Sequence, residues 1–160
     1  MSEYKYYLDN GIFDIQNGKY SDAIEKINQS LELKNDWEIP FFYRAVANQA
    51  LENFDEAILD YTKAIQFNEK MTDAYYNRAK ILLSRKDIEN PDIHRAKKDL
   101  EKAIELDENF VSALYALAAA EKKLENYEQA LKYLDKAIEI EPDFIHAKAL
   151  KKLILNKYIV

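Results

Sequence analysis

The chain repeats a short phrase around an alanine at a nearly fixed spacing. Ala23, Ala57, Ala96 and Ala130 each follow two polar residues, with a large residue directly before those two. The interval from 23 to 57 equals that from 96 to 130, and the middle interval, from 57 to 96, is slightly longer. A period of about 20 to 50 residues is typical of stacked structural repeats, which bury a continuous core between neighbours. The spacing therefore predicts a repeat fold and favours binding over catalysis.

Composition supports long helices and narrows the function. The 160-residue chain has two glycines and three prolines, too few for the many turns of a sheet protein. Its formal charge of −6 argues against nucleic acid as a partner, because phosphate contacts need clustered lysine and arginine. The chain has no cysteine, no signal pattern at its N-terminus and no apolar run of membrane length. These features predict a cytoplasmic protein that does not bind membranes.

Hydrophobic periodicity divides each repeat into two helices. In the fourth repeat, apolar residues recur at helical spacing over 111–124 and 127–140, and Pro142 follows. The same pattern predicts helix pairs near 4–17 and 20–34, 39–51 and 54–68, and 73–85 and 92–106, with a last helix at about 143–158. The third repeat carries five extra residues around 84–92, which account for the longer middle interval. They form either a longer turn or a contact loop.

These helix pairs resemble the tetratricopeptide repeat (TPR) family over nearly the whole chain. The first helix of that family carries a large residue and a small one four positions later, as in Phe41 and Ala45. The second helix carries an alanine, a large residue and another small one, as in Ala57, Tyr61 and Ala64. The resemblance implies an all-α, right-handed superhelical solenoid of antiparallel helix pairs that forms a single domain over 1–160. Its repeats cover about 4–37, 38–71, 72–110 and 111–144, and the helix at 143–158 caps the array.

The resemblance also separates core residues from candidate binding residues. It assigns to packing positions the tyrosines Tyr7, Tyr20, Tyr61, Tyr75 and Tyr127. In this family the first helix of each repeat lines a concave groove that holds extended or helical peptides. By resemblance, the groove of this chain is lined by Leu8, Ile12, Phe42, Tyr43, Val46, Tyr76, Asn77, Lys80, Tyr115 and Lys122. Packing against adjacent repeats is the alternative role of the aromatic residues in this set.

The sequence contains no arrangement of residues that points to catalysis. The two histidines, His94 and His146, fall on different elements. A phosphate-binding loop, a metal-binding helix motif and a nucleophile elbow are all absent from the sequence. The many carboxylates are expected on solvent-facing positions and in the first turns of helices. We therefore expect a protein that is not an enzyme and that binds neither metal nor cofactor.

The favoured function is a non-enzymatic protein–protein interaction module, an adaptor or scaffold that holds a peptide or protein segment in the groove. One TPR subfamily binds the acidic C-terminal tails of chaperones through a clamp of lysine, arginine and asparagine. Of the clamp residues this chain supplies only Asn77, so chaperone tails are not expected. The alternative function is structural self-assembly. In that case the apolar residues Leu153, Leu155 and Ile159 of the last helix make a homo-oligomer contact.

Overall fold

A computed structural model of the protein describes residues 2–85 and 90–158. These residues form nine α-helices and no strand: α1 (Glu3–Gln16), α2 (Tyr20–Leu33), α3 (Glu38–Ala50), α4 (Phe54–Phe67), α5 (Thr72–Ser84), α6 (Asn90–Leu106), α7 (Val111–Lys123), α8 (Tyr127–Ile140) and α9 (Ile145–Tyr158). The predicted all-α class with antiparallel helix pairs is confirmed, and each predicted boundary lies within about two residues of the observed one. The segment 84–92, predicted as a longer turn or a contact loop, includes 86–89, which lie outside the described residues.

The helices belong to two compact units, Met1–Ala74 and Tyr75–Val160. The boundary between the units falls inside α5, near the N-terminal end of that helix. The first unit therefore contains α1 to α4, and the second contains most of α5 together with α6 to α9. Each unit has its own buried core.

The core of the first unit forms where α1 packs on α2, α2 on α3 and α3 on α4. Leu8, Ile27 and Phe41 are buried at its centre. The close approach of α1 and α2 requires Gly11, because a Cβ atom there would lie 2.7 Å from Cγ1 of Ile27. Small residues at such contacts let helix backbones approach and let large neighbours fill the remaining space.

The core of the second unit forms where α6, α7, α8 and α9 pack in sequence. Leu114, Ala118 and Leu134 are fully buried there. The last helix adds Ala147 and Ile154 to the same cluster. The repeat pattern thus places the same kinds of residue in the interior of both units.

The last helix, α9, is polar on one side. The equivalent side of α7 is apolar and packs on α8. The large and small packing residues of α7 are Leu114 and Ala118, and the positions one repeat further on hold Lys148 and Lys152 of α9. Both lysines are exposed. This arrangement fits the predicted capping role, because a capping helix needs an apolar inner face and a polar outer one.

The five tyrosines that the sequence assigned to packing positions differ in burial. Tyr61 is fully buried, and its hydroxyl donates a hydrogen bond of 2.8 Å to Oε1 of Gln49. The others, Tyr7, Tyr20, Tyr75 and Tyr127, each keep part of the ring at the surface. A complete core role is therefore confirmed for Tyr61 alone.

The sequence predicted that the carboxylates lie on the surface, but several of them are buried. Asp60 and Asp99 are almost fully buried, and each binds the guanidinium of an arginine through both carboxylate oxygens. The distances are 2.7 and 2.8 Å for Arg44 with Asp60, and 2.8 and 2.7 Å for Arg78 with Asp99. Paired, doubly hydrogen-bonded carboxylates of this kind tolerate burial, whereas isolated ones do not.

Two further buried carboxylates, Asp14 and Glu121, lie near the ends of first helices. Asp14 pairs with Lys26, and Oε1 of Glu121 lies 2.8 Å from Nζ of Lys97. Hydrogen bonding to Glu121 raises the pKa of the Lys97 ammonium above its usual value. The prediction that the carboxylates are solvent-facing is wrong for these residues and for the two that bind arginine.

The turns between paired helices contain a residue with left-handed backbone conformation. This residue is Gly18 in the first repeat, Glu52 in the second and Glu125 in the fourth, with φ values of 73°, 60° and 62°. In the last two turns, the next residue donates its backbone N–H to the carbonyl five positions earlier, at 2.9 Å. This geometry is a Schellman-type helix end, which favours glycine at the left-handed position.

Candidate functional site

A row of aromatic side chains runs along the first-helix side of the second unit. The rings of Tyr76 and Phe110 lie 4.8 Å apart, and those of Tyr115 and Phe144 lie 5.4 Å apart. The ring of His146 lies 5.9 Å from that of Phe144. We call these five residues the aromatic row. They come from α5, α7, α9 and the loops before α7 and α9, so the row links three helices.

Tyr76 has a structural role as well as a surface position. Its ring is half-buried against Phe110, and its hydroxyl hydrogen-bonds with Ser112. Burial raises the pKa of the Tyr76 hydroxyl, although the hydrogen bond with Ser112 acts in the opposite direction. The packing alternative considered for this aromatic residue is therefore partly realised.

Two lysines border the aromatic residues of this unit. Nζ of Lys80 lies 5.1 Å from the centre of the Tyr76 ring, and Nζ of Lys122 lies 5.9 Å from that of Tyr158. The Tyr158 ring also stacks on Tyr127 at 4.5 Å. Cations over aromatic rings stay available to a negatively charged partner, since ring contacts do not neutralise their charge.

Asn77 is the polar group of this surface that is available for recognition. Its side chain is half-buried, next to Tyr76 in sequence. It makes no hydrogen bond to another residue in the part of the chain that the structure describes. A carboxamide offers a donor and an acceptor together, which suits the backbone of an extended peptide.

The charge on these helices is strongly one-sided. From Tyr75 onward, α5, α7 and α9 carry eight lysine or arginine residues, two in α5, two in α7 and four in α9. Their only acidic residue by sequence is Glu121, which is buried and paired with Lys97. The acidic residues of the second unit belong instead to α6, α8 and the loops. These helices are therefore basic by sequence in a protein that is acidic overall, although Arg78 pairs with Asp99, Lys151 pairs with Asp135, and Lys148 and Lys152 lie on the capping side of α9.

In the first unit, the predicted groove residues are more apolar and more deeply packed. Ile12, Phe42 and Tyr43 are half-buried and contact the core, and Val46 is half-buried as well. The Phe42 ring lies 5.8 Å from Tyr61 and 5.4 Å from Tyr43. Leu8 is only 2% exposed and belongs to the core, so its side chain is not presented to a partner.

The first unit also contains a cleft that sequence reasoning did not find. It has a volume of about 610 Å³ and lies between α2, α3 and α4. The Phe41 and Phe67 rings stack in it at 5.6 Å, and Nζ of Lys63 lies 5.2 Å from the Phe41 ring. The carboxamides of Asn28 and Gln66 also line it. Most of its residues come from second helices, where repeat spacing predicts no binding role.

The residues proposed for a homo-oligomer contact are only partly within the described chain. Leu153 and Leu155 are 44% and 42% exposed on α9. Ile159 lies outside the described residues. Ile145, at the start of the same helix, is 75% exposed.

Metal and membrane sites were sought across residues 2–85 and 90–158. Within those ranges, histidine, aspartate and glutamate nowhere gather into a group that could hold a metal ion. The helices of the same ranges are each too short or too polar to cross a membrane.

The fold defines a helical-repeat protein. A family model for the Fis1 C-terminal tetratricopeptide repeat matches residues 112–159, and a second tetratricopeptide repeat model matches residues 92–110. These matches and the repeated helix pairs confirm the predicted resemblance to the tetratricopeptide repeat family.

Individual proteins are similar to this chain over different lengths. Human tetratricopeptide repeat protein 12 is 33% identical over 69 residues, which make up 43% of this chain and only 10% of that protein. The crystal structure of MamA is 24% identical with a TM-score of 0.81, covering 88% of this chain and 79% of MamA. YrrB, described as a TPR protein with an unusual peptide-binding site, is also 24% identical with a TM-score of 0.81, covering 94% of this chain and 75% of YrrB. The structural likenesses support the fold.

Proposed function

We propose that the protein is a non-enzymatic interaction module that binds a peptide or protein segment on the first-helix sides of its units. The aromatic row of the second unit, with Lys80 beside Tyr76, is the observation that carries this proposal, and Lys122 adds a second cation beside Tyr158. Aromatic residues are enriched in the central part of protein interfaces, and a polar rim with charged groups surrounds that centre. That YrrB is described as having a peptide-binding site agrees with such a role.

The charge of this surface selects the chemistry of the partner. Because α5, α7 and α9 are basic, an acidic segment is attracted and a basic one is repelled. The aromatic row adds contact area for an aromatic or large aliphatic side chain. Asn77 can bind the backbone of the same segment. The first unit has a partly exposed apolar surface of its own, formed by Ile12, Phe42, Tyr43 and Val46, which suits an apolar side chain of a partner.

The partner is not expected to be a chaperone tail of the clamp-binding type. The clamp needs its lysine and arginine at fixed positions on successive first helices. In this chain those positions hold residues such as Leu8, Ile12 and Tyr43. Leu8 is also buried. Lys80 and Lys122 lie outside the clamp positions, and there they can attract acidic side chains of a different partner.

Fluorescence anisotropy with labelled peptides tests this proposal. We expect a peptide containing glutamate and one phenylalanine to bind the full chain, and a peptide with lysine in place of glutamate not to bind. The double substitution Lys80→Glu and Lys122→Glu should weaken binding by at least about tenfold, because each attractive charge becomes a repulsive one. Asn77→Ala should weaken it by about three- to tenfold, the usual range for one net hydrogen bond.

The matched control is Lys63→Glu, which reverses an exposed lysine on α4 of the first unit. It should leave peptide affinity within about twofold of the parent, apart from long-range screening effects. If this control weakens binding as much as the double substitution does, net charge and not the aromatic row determines binding. Capture from native lysate, compared between the parent and Asn77→Ala, then identifies the natural partner.

A further inference from the structure

The outer side of α1 exposes two aromatic side chains at positions that the other first helices bury. Tyr6 is 52% exposed and Phe13 is 62% exposed. Asn10 and Asn17 lie on the same side, since the four residues are spaced by four, three and four positions. We call Tyr6, Asn10, Phe13 and Asn17 the α1 stripe. Apolar residues at helical spacing normally pack against a neighbouring element. Exposed aromatic residues in this pattern therefore indicate a contact with another element or molecule.

The repeat register shows what the corresponding positions do elsewhere. One repeat on from Tyr6 and Phe13 are Pro40 and Ala47 of α3, which are buried where α3 packs on α2. In the second unit the matching residues are Ala113 and Ala120 of α7 and Ala147 and Ile154 of α9. All four are buried where α7 packs on α6 and α9 packs on α8. Tyr6 and Phe13 therefore hold interface positions of the fold that no helix among the described residues covers.

The size of the residues indicates that a different kind of contact covers the stripe. At the buried positions the chain uses mostly alanine and proline, which allow a helix to approach closely. Tyr6 is too large for that close approach, since its position holds only proline or alanine in the other first helices, whereas the position of Phe13 also takes isoleucine in α5 and α9. An occupant stacked like a preceding repeat is thus disfavoured, whereas aromatic side chains that interleave with those of a partner helix fit well.

The stripe is also free of charge. Nδ2 of Asn10 donates to the Tyr6 carbonyl and Nδ2 of Asn17 donates to the Phe13 carbonyl, both at 2.7 Å. Each amide thus satisfies one of its two donors within α1 and keeps one donor and its oxygen for a neighbour. An uncharged stripe of this kind can face an identical stripe without charge repulsion inside the contact, and the free amide groups of the two copies can pair with each other.

We propose that the α1 stripe is a self-association surface, occupied by α1 of a second copy of this chain. Two-fold dimers are the commonest homo-oligomers, and their contact must be self-complementary. With the two helices antiparallel and the two-fold axis near Asn10, Tyr6 of each copy lies beside Phe13 of the other. One symmetric contact therefore buries Tyr6 and Phe13 of both copies.

Sedimentation velocity over a range of concentrations is the first measurement. The parent chain should show concentration-dependent dimers, and Phe13→Glu should be monomeric over the same range. The matched control is Leu59→Glu, because Leu59 is 65% exposed on α4, outside the stripe. It should keep the dimer. A monomeric parent at all concentrations, or a Phe13→Glu variant that still dimerises, overturns the proposal.

Disulfide trapping provides a second, geometric test, because the chain has no cysteine of its own. Under mild oxidation, Asn10→Cys should form a covalent dimer faster than Leu59→Cys or Leu153→Cys, since Asn10 lies near the two-fold axis. If Leu153→Cys is trapped fastest, the contact lies on α9 and the proposal is wrong. Circular dichroism confirms that each variant folds. Binding of the acidic peptide should survive Phe13→Glu, so failure of this dimer leaves the proposed peptide site intact.

Discussion

The two units build the same helix end with different chemistry. In the first unit, Oδ1 of Asn48 accepts a hydrogen bond of 3.3 Å from Nδ2 of Asn53, so two neutral amides join α3 to its turn. In the second unit, Glu121 holds the equivalent position and accepts from Nδ2 of Asn126 at 2.8 Å. The backbone N–H of each turn asparagine donates to the carbonyl of the same partner at 2.9 Å in both units. The backbone geometry is thus preserved while the side-chain chemistry changes.

The carboxylate in the second unit connects more of the structure than the amide does in the first. Glu121 is 1% exposed and pairs with Lys97 of α6, so one residue joins α7, its turn and the preceding helix. Within the described residues, the side chain of Asn48 is hydrogen-bonded to Asn53 of its own turn. A buried charge stabilises a fold only while its partner is present. The comparison indicates that α6 and α7 of the second unit are joined through a buried carboxylate, whereas α2 and α3 of the first unit are joined by Nη1 of Arg44, which donates to the neutral Oδ1 of Asn28 at 2.6 Å.

The largest effect is expected from removing the partner of the buried carboxylate. Lys97→Met should lower the free energy of unfolding by about 3 kcal/mol, because Glu121 is left buried without its cation. Asn48→Ala in the first unit should cost only about 1 kcal/mol, the net value of a neutral hydrogen bond. Urea unfolding followed by circular dichroism gives both values. Equal losses for the two substitutions would contradict the comparison.

The matched control for this prediction restores neutrality. Glu121→Gln added to Lys97→Met removes the unpaired charge and keeps an oxygen for Asn126. The double variant should recover most of the lost stability, since the cost comes from the isolated charge and not from the missing lysine chain. No recovery would indicate that packing of the Lys97 stem, and not its charge, is what stabilises this region.

An intermediate effect is expected at the small residue of the first helices, which is Gly11 in the first unit and Ala118 in the second. Gly11→Ala should cost about 1–3 kcal/mol by overpacking against Ile27, partly offset by a gain of about 1 kcal/mol in helix propensity. Ala118→Gly should also destabilise, by about 1 kcal/mol from propensity alone. Thermal unfolding checks both. A stabilised Gly11→Ala variant would show that α1 can move away from α2.

Sequence alone predicted the fold well because the interior positions repeat. Ala23, Ala57 and Ala130 are fully buried, as expected for residues that set the distance between helices. The paired arginines were predictable in principle, because Arg44 and Arg78 are one repeat apart and fall at the same repeat position. Their acidic partners Asp60 and Asp99 also share one repeat position. That recurrence was the signal that the sequence reading missed.

The exposure of surface positions was harder to predict, for a physical reason. Leu8 and Tyr76 hold the same repeat position, yet Leu8 is core and Tyr76 is half-buried. Periodicity gives the direction in which a side chain leaves its helix, whereas exposure depends on what neighbouring loops place over it. Trp37 packs against the cluster that contains Leu8, and Phe110 packs on Tyr76. These loop residues do recur, because Trp37, Met71, Phe110 and Phe144 hold one repeat position directly before a first helix, and that recurrence was also missed.

The smallest effect is expected in the turns, where each unit has a glutamate in left-handed conformation. Glu52→Gly in the first unit and Glu125→Gly in the second should each raise the free energy of unfolding by about 0.5–1 kcal/mol. Glycine avoids the steric penalty that a Cβ atom incurs at φ near 60°. Its greater conformational freedom in the unfolded chain lowers stability and so cancels part of this gain. Chemical unfolding of the single and double variants checks the values. Because the two turns lie in different units, their effects should add.

Gly18 supplies the reverse test at the turn of the first repeat. Its φ is 73°, and a Cβ atom built on it would have no heavy atom within 4 Å, so Gly18→Ala introduces backbone strain without a clash. The variant should lose about 1 kcal/mol. If Gly18→Ala is neutral while the two glutamate substitutions stabilise, the gain does not come from the left-handed backbone. The gain in stability then comes from the removal of two acidic side chains, which lowers charge repulsion in a protein with net charge −6.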